Sequence, residues 1–244
     1  MLTIAVCDDN PQFAHQLTAR LRELCAHLLP ERVECRITAA FSSGEEVLRY
    51  LRQSSIHILF LDIDMPGMGG FDLAARLKDT APDTLVIFVS AYDDFVYSSF
   101  EYAPFRFLRK SHLEEELPVT LQKVVEKCMM DSETVTVPTL EGELTFRVKD
   151  ILYLEGEGNY YTVRTSDGEA FRCRSTLSAA EELVAGHDFF RIHQGYLVNL
   201  THIRAVGDDG ALRMDNGATL YVSRRKLTAF REAYMQFTRR RLTR

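Results

Sequence analysis

The first 130 residues alternate short apolar runs with segments in which apolar residues recur at helical spacing. The apolar runs predict strands at residues 2–7, 36–41, 56–62, 84–90 and 105–110. The intervening segments predict helices at residues 11–29, after Ser43, at 70–78, around 94–101 and at about 113–130. Strands that are apolar nearly throughout are buried on both faces, so this order predicts a doubly wound α/β domain with a five-stranded parallel sheet.

Two local signals support the predicted helices. In the first helix Phe13, Leu17, Leu21 and Leu24 fall on one apolar stripe. Ser43 is followed three residues later by a glutamate, Glu46, and this spacing predicts a capping box at the start of the second helix.

The pattern changes near residue 131. From there the chain consists of alternating runs of four to six residues, separated by Asp-Gly and Asn-Gly pairs that are typical of hairpin turns. Only residues 175–185 and the stretch from about 224 have helical spacing. The second half is therefore predicted to be a mainly antiparallel β domain at 134–244. The first domain is assigned to 1–127, with a short linker at 128–133.

Composition narrows the class of protein. Apolar residues make up 46% and charged residues 26% of the chain, which is typical of globular proteins. The longest apolar runs are far shorter than the roughly 20 residues that a membrane helix needs, and the N-terminus does not have the pattern of a signal peptide. The five cysteines are scattered and never spaced C-x-x-C, and the seven histidines lack zinc-ligand spacing. A cytoplasmic protein without a membrane partner is expected.

The net charge of −6 hides an asymmetry between the two halves. Residues 1–133 have 13 basic and 21 acidic side chains, a net of −8, whereas residues 134–244 have 16 and 14, a net of +2. Opposite signs indicate two domains with different partners.

Chemically reactive side chains follow four of the predicted parallel strands, at their carboxyl ends. They are Asp8 with Asp9, then Asp62, Ser90 and Lys110. Carboxyl ends of parallel strands share one edge of the sheet, so these groups are expected to converge. Crowded carboxylates suit a hard divalent cation such as Mg²⁺, and an ionised aspartate beside it can accept a phosphoryl group.

Four segments in this order resemble the receiver domain of two-component response regulators, which has a flavodoxin-like fold. They are CDDN (7–10), LDIDMPGMGG (61–70), FVSAY (88–92) and FRFLRK (105–110), and the resemblance covers about residues 1–125. It implies that a sensor histidine kinase phosphorylates Asp62. It also implies Mg²⁺ ligands and phosphate-contacting or switch residues: Asp8, Asp9, Asp62 and the Asp64 backbone carbonyl for the metal, and Ser90, Phe107 and Lys110 for the switch.

Two features complicate this interpretation. Ser111 stands where receivers usually have a proline after the lysine, so the loop that carries Lys110 is expected to be arranged differently. The string LFLDIDM also resembles the nucleophile strand of haloacid-dehalogenase-type phosphatases. That motif usually lies in the first strand, however, and it leaves the Asp8–Asp9 pair unexplained, so an enzyme is not expected.

The second half has polar, basic and aromatic residues in short connections, which can contact phosphates and base edges. The segments DILYLEGEGNYYTVRT, FFRIHQGYLVNL and LYVSRRKL resemble the LytTR DNA-binding domain over about residues 134–237. The resemblance implies a set of DNA contacts: Asn159, Tyr161, His193, Gln194, Arg224, Arg225 and Lys226.

The combined expectation is a DNA-binding transcriptional regulator controlled by phosphorylation of Asp62. Phosphorylation is expected to promote a homodimer that binds paired promoter sites in double-stranded DNA. Two alternatives remain open at this stage. One is a DNA-binding regulator that acts independently of phosphorylation, and the other is a protein-interaction module.

Overall fold

The computed structural model describes residues 1–30, 33–38, 40–92, 94–139 and 142–242, with side chains through residue 240. The chain divides into two compact units, Met1–Cys128 and Met129–Arg244. Among the helices in these ranges, none is long and apolar enough to cross a membrane.

In the described residues, the N-terminal unit has five strands and five α-helices in alternation. They are β1 (Leu2–Cys7), α1 (Pro11–Leu28), β2 (Cys35–Ile37), α2 (Gly44–Leu51), β3 (Ile58–Asp62), α3 (Gly70–Thr80), β4 (Leu85–Ser90), α4 (Phe95–Ser99), β5 (Arg106–Arg109) and α5 (Leu113–Ser132). All strands pair in parallel, in the order β2-β1-β3-β4-β5. The predicted doubly wound fold is confirmed.

Continuous hydrophobicity in the central strands reflects burial on both faces. Every residue of β1 and β3 is buried, including the terminal Asp62. On α1, the buried positions include Leu17, Leu21 and Leu24 of the predicted stripe. Helices on both faces of the sheet thus remove the strand side chains from water, which is the main stabilising contribution in such a core.

Some boundaries differ from the predicted ones. The strand predicted at 36–41 is limited to Cys35–Ile37, followed by an isolated bridge between Phe41 and Cys7; Ala39 lies outside the described residues. The helix predicted around 94–101 is α4 followed by a 3-10 turn at Phe100–Tyr102, and residue 93 just before it is also outside the description. Most of the segment predicted as a linker, 128–133, is the end of α5.

The capping box at the start of α2 is modified. The Ser43 side chain accepts a hydrogen bond from the Glu46 amide, as predicted, at 3.4 Å. The Glu46 carboxylate, however, accepts from the amide of Ser42 at 2.8 Å, one residue before the cap. Both hydrogen bonds of the capping box are therefore present, but the glutamate side chain binds the amide of Ser42 instead of that of Ser43.

Within the described part of the chain, the C-terminal unit has ten strands and two α-helices. They are β6 (Thr134–Thr139), β7 (Gly142–Arg147), β8 (Ile151–Glu157), β9 (Tyr160–Thr165), β10 (Ala170–Cys173), α6 (Leu177–Leu183), β11 (Phe189–His193), β12 (Tyr196–Asn199), β13 (Ile203–Val206), β14 (Ala211–Met214), β15 (Thr219–Tyr221) and α7 (Leu227–Leu242). Seven strands form one sheet, β11-β12-β8-β9-β10-β6-β7, and β13-β14-β15 form a second. The mainly β architecture is confirmed, and all of these strand pairs are antiparallel.

Glycine turns connect the strands of the smaller sheet. Gly210 lies between β13 and β14 and Gly217 between β14 and β15, with φ angles of +83° and +82°. Residues other than glycine rarely adopt positive φ angles. The Asp-Gly and Asn-Gly pairs in the sequence therefore predict these two hairpin turns correctly.

A buried amide at the end of β12 binds the chain segment that leads into the neighbouring strand β8. The side chain of Asn199 donates hydrogen bonds to the carbonyls of Val148 (3.2 Å) and Ile151 (2.9 Å). Its oxygen accepts from the amide and the hydroxyl of Thr201. All its hydrogen-bonding capacity is used inside the domain, so the asparagine of the YLVN segment is a structural residue.

Candidate phosphoacceptor site and nucleic-acid interface

Three carboxylates meet at the carboxyl edge of the parallel sheet. Asp8 and Asp9 follow β1, and Asp62 ends β3, the strand beside it. One carboxylate oxygen from each residue lies within 4.8 Å of the others. Asp8 and Asp62 are buried, whereas Asp9 is exposed. The acids that the sequence placed at strand ends therefore form one cluster that is open on one side.

Lys110 joins this cluster from the end of β5. Its Nζ lies 2.6 Å from Asp8 Oδ2 and 2.7 Å from Asp62 Oδ2, and it also sits 4.3 Å from the centre of the Phe13 ring. The described residues contain no cis peptide bond. The different arrangement expected from Ser111 therefore does not keep Lys110 from the acidic cluster.

Backbone amides orient the two buried carboxylates. Asp62 Oδ1 accepts a hydrogen bond from the amide of Ile63 at 2.8 Å and a longer one from Asp64 at 3.4 Å. Asp8 Oδ1 accepts from the amide of Asn10 at 2.9 Å. In each residue Oδ1 thus accepts hydrogen bonds from backbone amides, and Oδ2 accepts one from Lys110.

The charges of the site depend on one another. Burial raises the pKa of Asp62 overall, although the hydrogen bond and positive charge of Lys110 oppose this effect. Burial lowers the pKa of Lys110, but its hydrogen bonds to Asp62 and Asp8 outweigh burial and raise the pKa overall. The ammonium group therefore remains charged and compensates part of the negative charge of the two acids.

The donor set fits a hard divalent cation. It consists of carboxylate oxygens only, and one of them, on Asp9, faces solvent. Mg²⁺ prefers a few such oxygens and retains several water molecules. Asp64 is exposed and follows Asp62 by two residues; the metal-binding role of its carbonyl remains a prediction.

Gly70 is a site residue whose role the sequence did not reveal. It is the first residue of α3, and its amide donates to the Ile63 carbonyl at 2.9 Å. A Cβ at this position would collide with the carbonyl of Asp62 and lie 2.8 Å from Ile63 Cα. The helix therefore packs directly on the backbone that carries Asp62.

The two predicted switch residues lie in neighbouring strands. Ser90 is buried at the end of β4, where its hydroxyl accepts a hydrogen bond from the Tyr92 amide at 3.1 Å. Phe107 lies in β5 opposite Phe88 and packs half-buried against the core. The two residues are therefore close in the sheet, and Ser90 is bonded to its own loop.

In the C-terminal unit, three connections that were predicted to contact DNA lie side by side. The end of β8, just before the β8–β9 turn, is bonded to the β11–β12 turn through the Gly156 amide and the Gly195 carbonyl, at 2.9 Å. The β15–α7 connection is bonded to β11 through the Ser223 amide and the Ile192 carbonyl, also at 2.9 Å. These two hydrogen bonds link the three connections, which are named here the loop face: residues 157–160, 193–195 and 222–226.

Six of the seven predicted DNA contacts are accessible on the loop face. Asn159, Gln194, Arg224 and Arg225 are exposed, and His193 and Lys226 are half-buried. His193 also has a structural contact, because its Nδ1 accepts a hydrogen bond from the Gly195 amide at 3.2 Å.

The prediction for Tyr161 is wrong. Its side chain is 0% exposed and belongs to the core beneath the seven-stranded sheet. Side chains of β9 alternate between faces, and residue 161 faces inward beside Cys173. The adjacent Tyr160 is the half-exposed tyrosine, and the guanidinium of Arg172 lies 4.6 Å from its ring centre.

Arg191 is a second residue that the sequence did not single out. Its guanidinium donates to the Gln194 carbonyl (2.7 Å), to Ser178 Oγ (2.8 Å) and to Glu181 Oε2 (3.1 Å). The side chain is only 18% exposed. It lines a cavity of about 570 Å³ together with Glu155, Leu177, His193 and Tyr196. Arg191 thus fixes the β11–β12 turn to α6.

Comparison with known proteins agrees with this architecture. The response regulator receiver domain family matches residues 4–122, and the LytTr DNA-binding domain family matches residues 143–235. The fold and these two matches define a DNA-binding response regulator. The chain thus combines a response regulator receiver domain with a LytTr DNA-binding domain.

Several relatives align with most of the chain. The sensory transduction protein LytT of Bacillus subtilis is 29% identical over 238 residues, which cover 92% of this chain and 95% of that protein. The transcriptional regulatory protein YpdB of Escherichia coli K12 is 27% identical over 84% of this chain and 91% of its own length. Among solved structures, the response regulator TrrA of Thermotoga maritima, in complex with Mg²⁺-BeF, is 26% identical and covers 51% of this chain and 99% of that one, with a TM-score of 0.44.

Proposed function

We propose that a sensor histidine kinase transfers a phosphoryl group to Asp62, and that this transfer controls the binding of the LytTR domain to promoter DNA. The observation that supports the acceptor is the placement of Asp62 between Lys110 and two further acids. An isolated buried carboxylate would tend to protonate, whereas Lys110 favours the ionised form that can attack phosphorus.

Asp62 Oδ2 is the proposed nucleophile, because Oδ1 is held by the Ile63 amide. As the new oxygen–phosphorus bond forms, the phosphorus–nitrogen bond to the kinase histidine breaks. Lys110 Nζ already donates a hydrogen bond to Asp62 Oδ2, so it is close enough to donate one to an oxygen of the transferred phosphoryl group. Asp8, Asp9, Asp62 and the Asp64 carbonyl would hold Mg²⁺, which when bound compensates charge on the phosphoryl oxygens.

Phosphorylation replaces the single negative charge of the ionised Asp62 carboxylate with a phosphoryl group that carries about −1.5 to −2 charges. We expect the Ser90 hydroxyl to turn from the Tyr92 amide and donate to a phosphoryl oxygen. Phe107 would then repack in the space beside β4, changing the surface of α4 and β5. Two aromatic side chains on that surface are exposed, Tyr97 at 84% and Phe100 at 69%. They support a phosphorylation-dependent homodimer through this face.

A dimer would present two loop faces to paired DNA sites. Asn159, His193 and Gln194 are the proposed base-reading residues of each face. Arg224, Arg225 and Lys226 are the proposed phosphate contacts. Joining two binding domains raises the affinity for paired sites without new contacts in either half.

DNA binding by the full chain tests this proposal. We expect the log of the binding constant for promoter fragments, selected from the source genome, to fall linearly with log salt concentration, because phosphate contacts release counterions. Replacing both Arg224 and Arg225 with alanine should lower the affinity about 10-fold. It should also reduce the magnitude of the slope of log binding constant against log salt concentration by about 1.8. Arg147→Ala is the matched control, since Arg147 lies on β7 at the opposite edge of the sheet.

The same titration separates the alternatives. Acetyl phosphate should raise the affinity for paired sites and shift the protein from monomer to dimer. Equal affinity and oligomeric state with and without the donor would favour the phosphorylation-independent regulator. Absence of a salt-dependent DNA complex would favour the protein-interaction module.

Arg191 provides an independent prediction for the loop face. Because it fixes the β11–β12 turn, Arg191→Ala should weaken DNA binding about 10-fold. It is nearly buried and is not placed to contact phosphate, so the salt slope should match that of the wild type. Arg191→Lys should restore part of the affinity. A decrease of about 1 in the slope would instead identify Arg191 as a direct phosphate contact.

A further inference from the structure

Two of the five cysteines are adjacent in space. Cys25 lies in the last turns of α1, and Cys35 is the first residue of β2. Helix α1 packs against β2, which brings the two thiols close enough to interact. The cysteine spacing gave no indication of this contact, because the tertiary packing of α1 creates it.

The pair differs from the other cysteines in its access to solvent. Cys25 and Cys35 are both half-buried, and β2 is an edge strand of the sheet. Cys7, Cys128 and Cys173 are buried at 0%, 7% and 0% exposure. Oxidants in solution can therefore reach the pair more readily than the remaining three thiols.

The contact also favours ionisation of one member. A hydrogen bond from the Cys25 thiol lowers the pKa of Cys35, although partial burial opposes it. The same hydrogen bond and burial raise the pKa of Cys25. An accessible thiolate beside a second thiol is the arrangement found in cysteines that undergo reversible oxidation.

We propose that Cys25 and Cys35 are an oxidation site of the receiver domain and form a reversible disulfide when the protein meets a peroxide. The Cys35 thiolate attacks one peroxide oxygen, the O–O bond breaks, and hydroxide leaves to give a sulfenic acid. The Cys25 sulfur then attacks the sulfenic sulfur and its proton leaves with the expelled hydroxide as water. In total, two thiols and one hydrogen peroxide give one disulfide and two waters, and a dithiol reductant reverses the change.

Thiol counting on the folded full chain tests the proposal. After treatment with hydrogen peroxide and quenching, the protein is denatured and free thiols are alkylated. We expect the wild type to lose two of its five thiols, and dithiothreitol to restore both. Peptide mass spectrometry should locate the bond between residues 25 and 35. Retention of five thiols, or a bond that involves any other pair or a second copy of the chain, would overturn the proposal.

Two serine variants assign the roles within the pair. Cys25→Ser should oxidise only to a sulfenic acid, trapped by dimedone at Cys35, and Cys35→Ser should give little trapping at Cys25. Both positions are half-exposed, so serine is readily accommodated there. Dimedone trapping at Cys25 in Cys35→Ser, with none at Cys35 in Cys25→Ser, would overturn the proposed order of attack.

Discussion

Replacing Asp62 with Asn should abolish phosphoryl incorporation from acetyl phosphate, a loss of at least about 100-fold, because an amide is not a nucleophile toward phosphorus. The variant keeps the shape of the side chain and an oxygen that can accept from the Ile63 amide. Lys110 keeps its ion pair with Asp8. The fold is therefore expected to persist. Intact-mass spectrometry measures the incorporation, and thermal unfolding checks the fold.

Asp64→Asn is the matched control for this experiment. Asp64 is two residues away and exposed, and its side chain has no part in the proposed chemistry. We expect its phosphorylation to stay within about 3-fold of the wild type. Full labelling of a folded Asp62→Asn protein would show that another residue accepts the phosphoryl group. If Asp62 is phosphorylated but DNA binding does not change, Asp62 is the phosphoacceptor and its phosphorylation does not control DNA binding.

The meeting of Asp8, Asp9 and Asp62 could be predicted from sequence because a parallel sheet puts all strand ends on one edge. This topological argument needs only the order and direction of the strands. The contacts of Lys110 needed coordinates, since Ser111 made the path of its loop uncertain. Lys110 still reaches both buried acids, at 2.6 and 2.7 Å.

The errors in the C-terminal half have a different origin. Alternation in β9 shows that Tyr160 and Tyr161 face opposite sides, but the side that is buried depends on what packs below the sheet. The importance of Arg191 was hidden for a related reason. Its partners come from α6 and from the following turn, so no local pattern contains them.

The glycines near Asp62 also have tertiary contacts that no local sequence pattern contains, and these contacts lead to a stability prediction. The sequence MPGMGG predicts a turn after β3, but it does not distinguish Gly69 from Gly70. The structure distinguishes them by what an added methyl group would meet. At Gly69 the nearest atom is the Ile63 carbonyl oxygen at 3.5 Å, an ordinary contact. At Gly70 the methyl group would overlap the backbone at Asp62 and Ile63.

Gly70→Ala should therefore destabilise the receiver domain by about 2–4 kcal/mol, because either α3 or the end of β3 has to move. Gly69→Ala should change stability by less than about 1 kcal/mol, since its φ of −64° suits alanine. Urea unfolding measures both variants. Where Gly70→Ala remains folded, the displaced Asp62 should also accept phosphoryl groups more slowly than in Gly69→Ala. Equal stability of the two variants would mean that α3 can withdraw from β3 without cost, and the close packing of Gly70 would then have no role in positioning the acceptor.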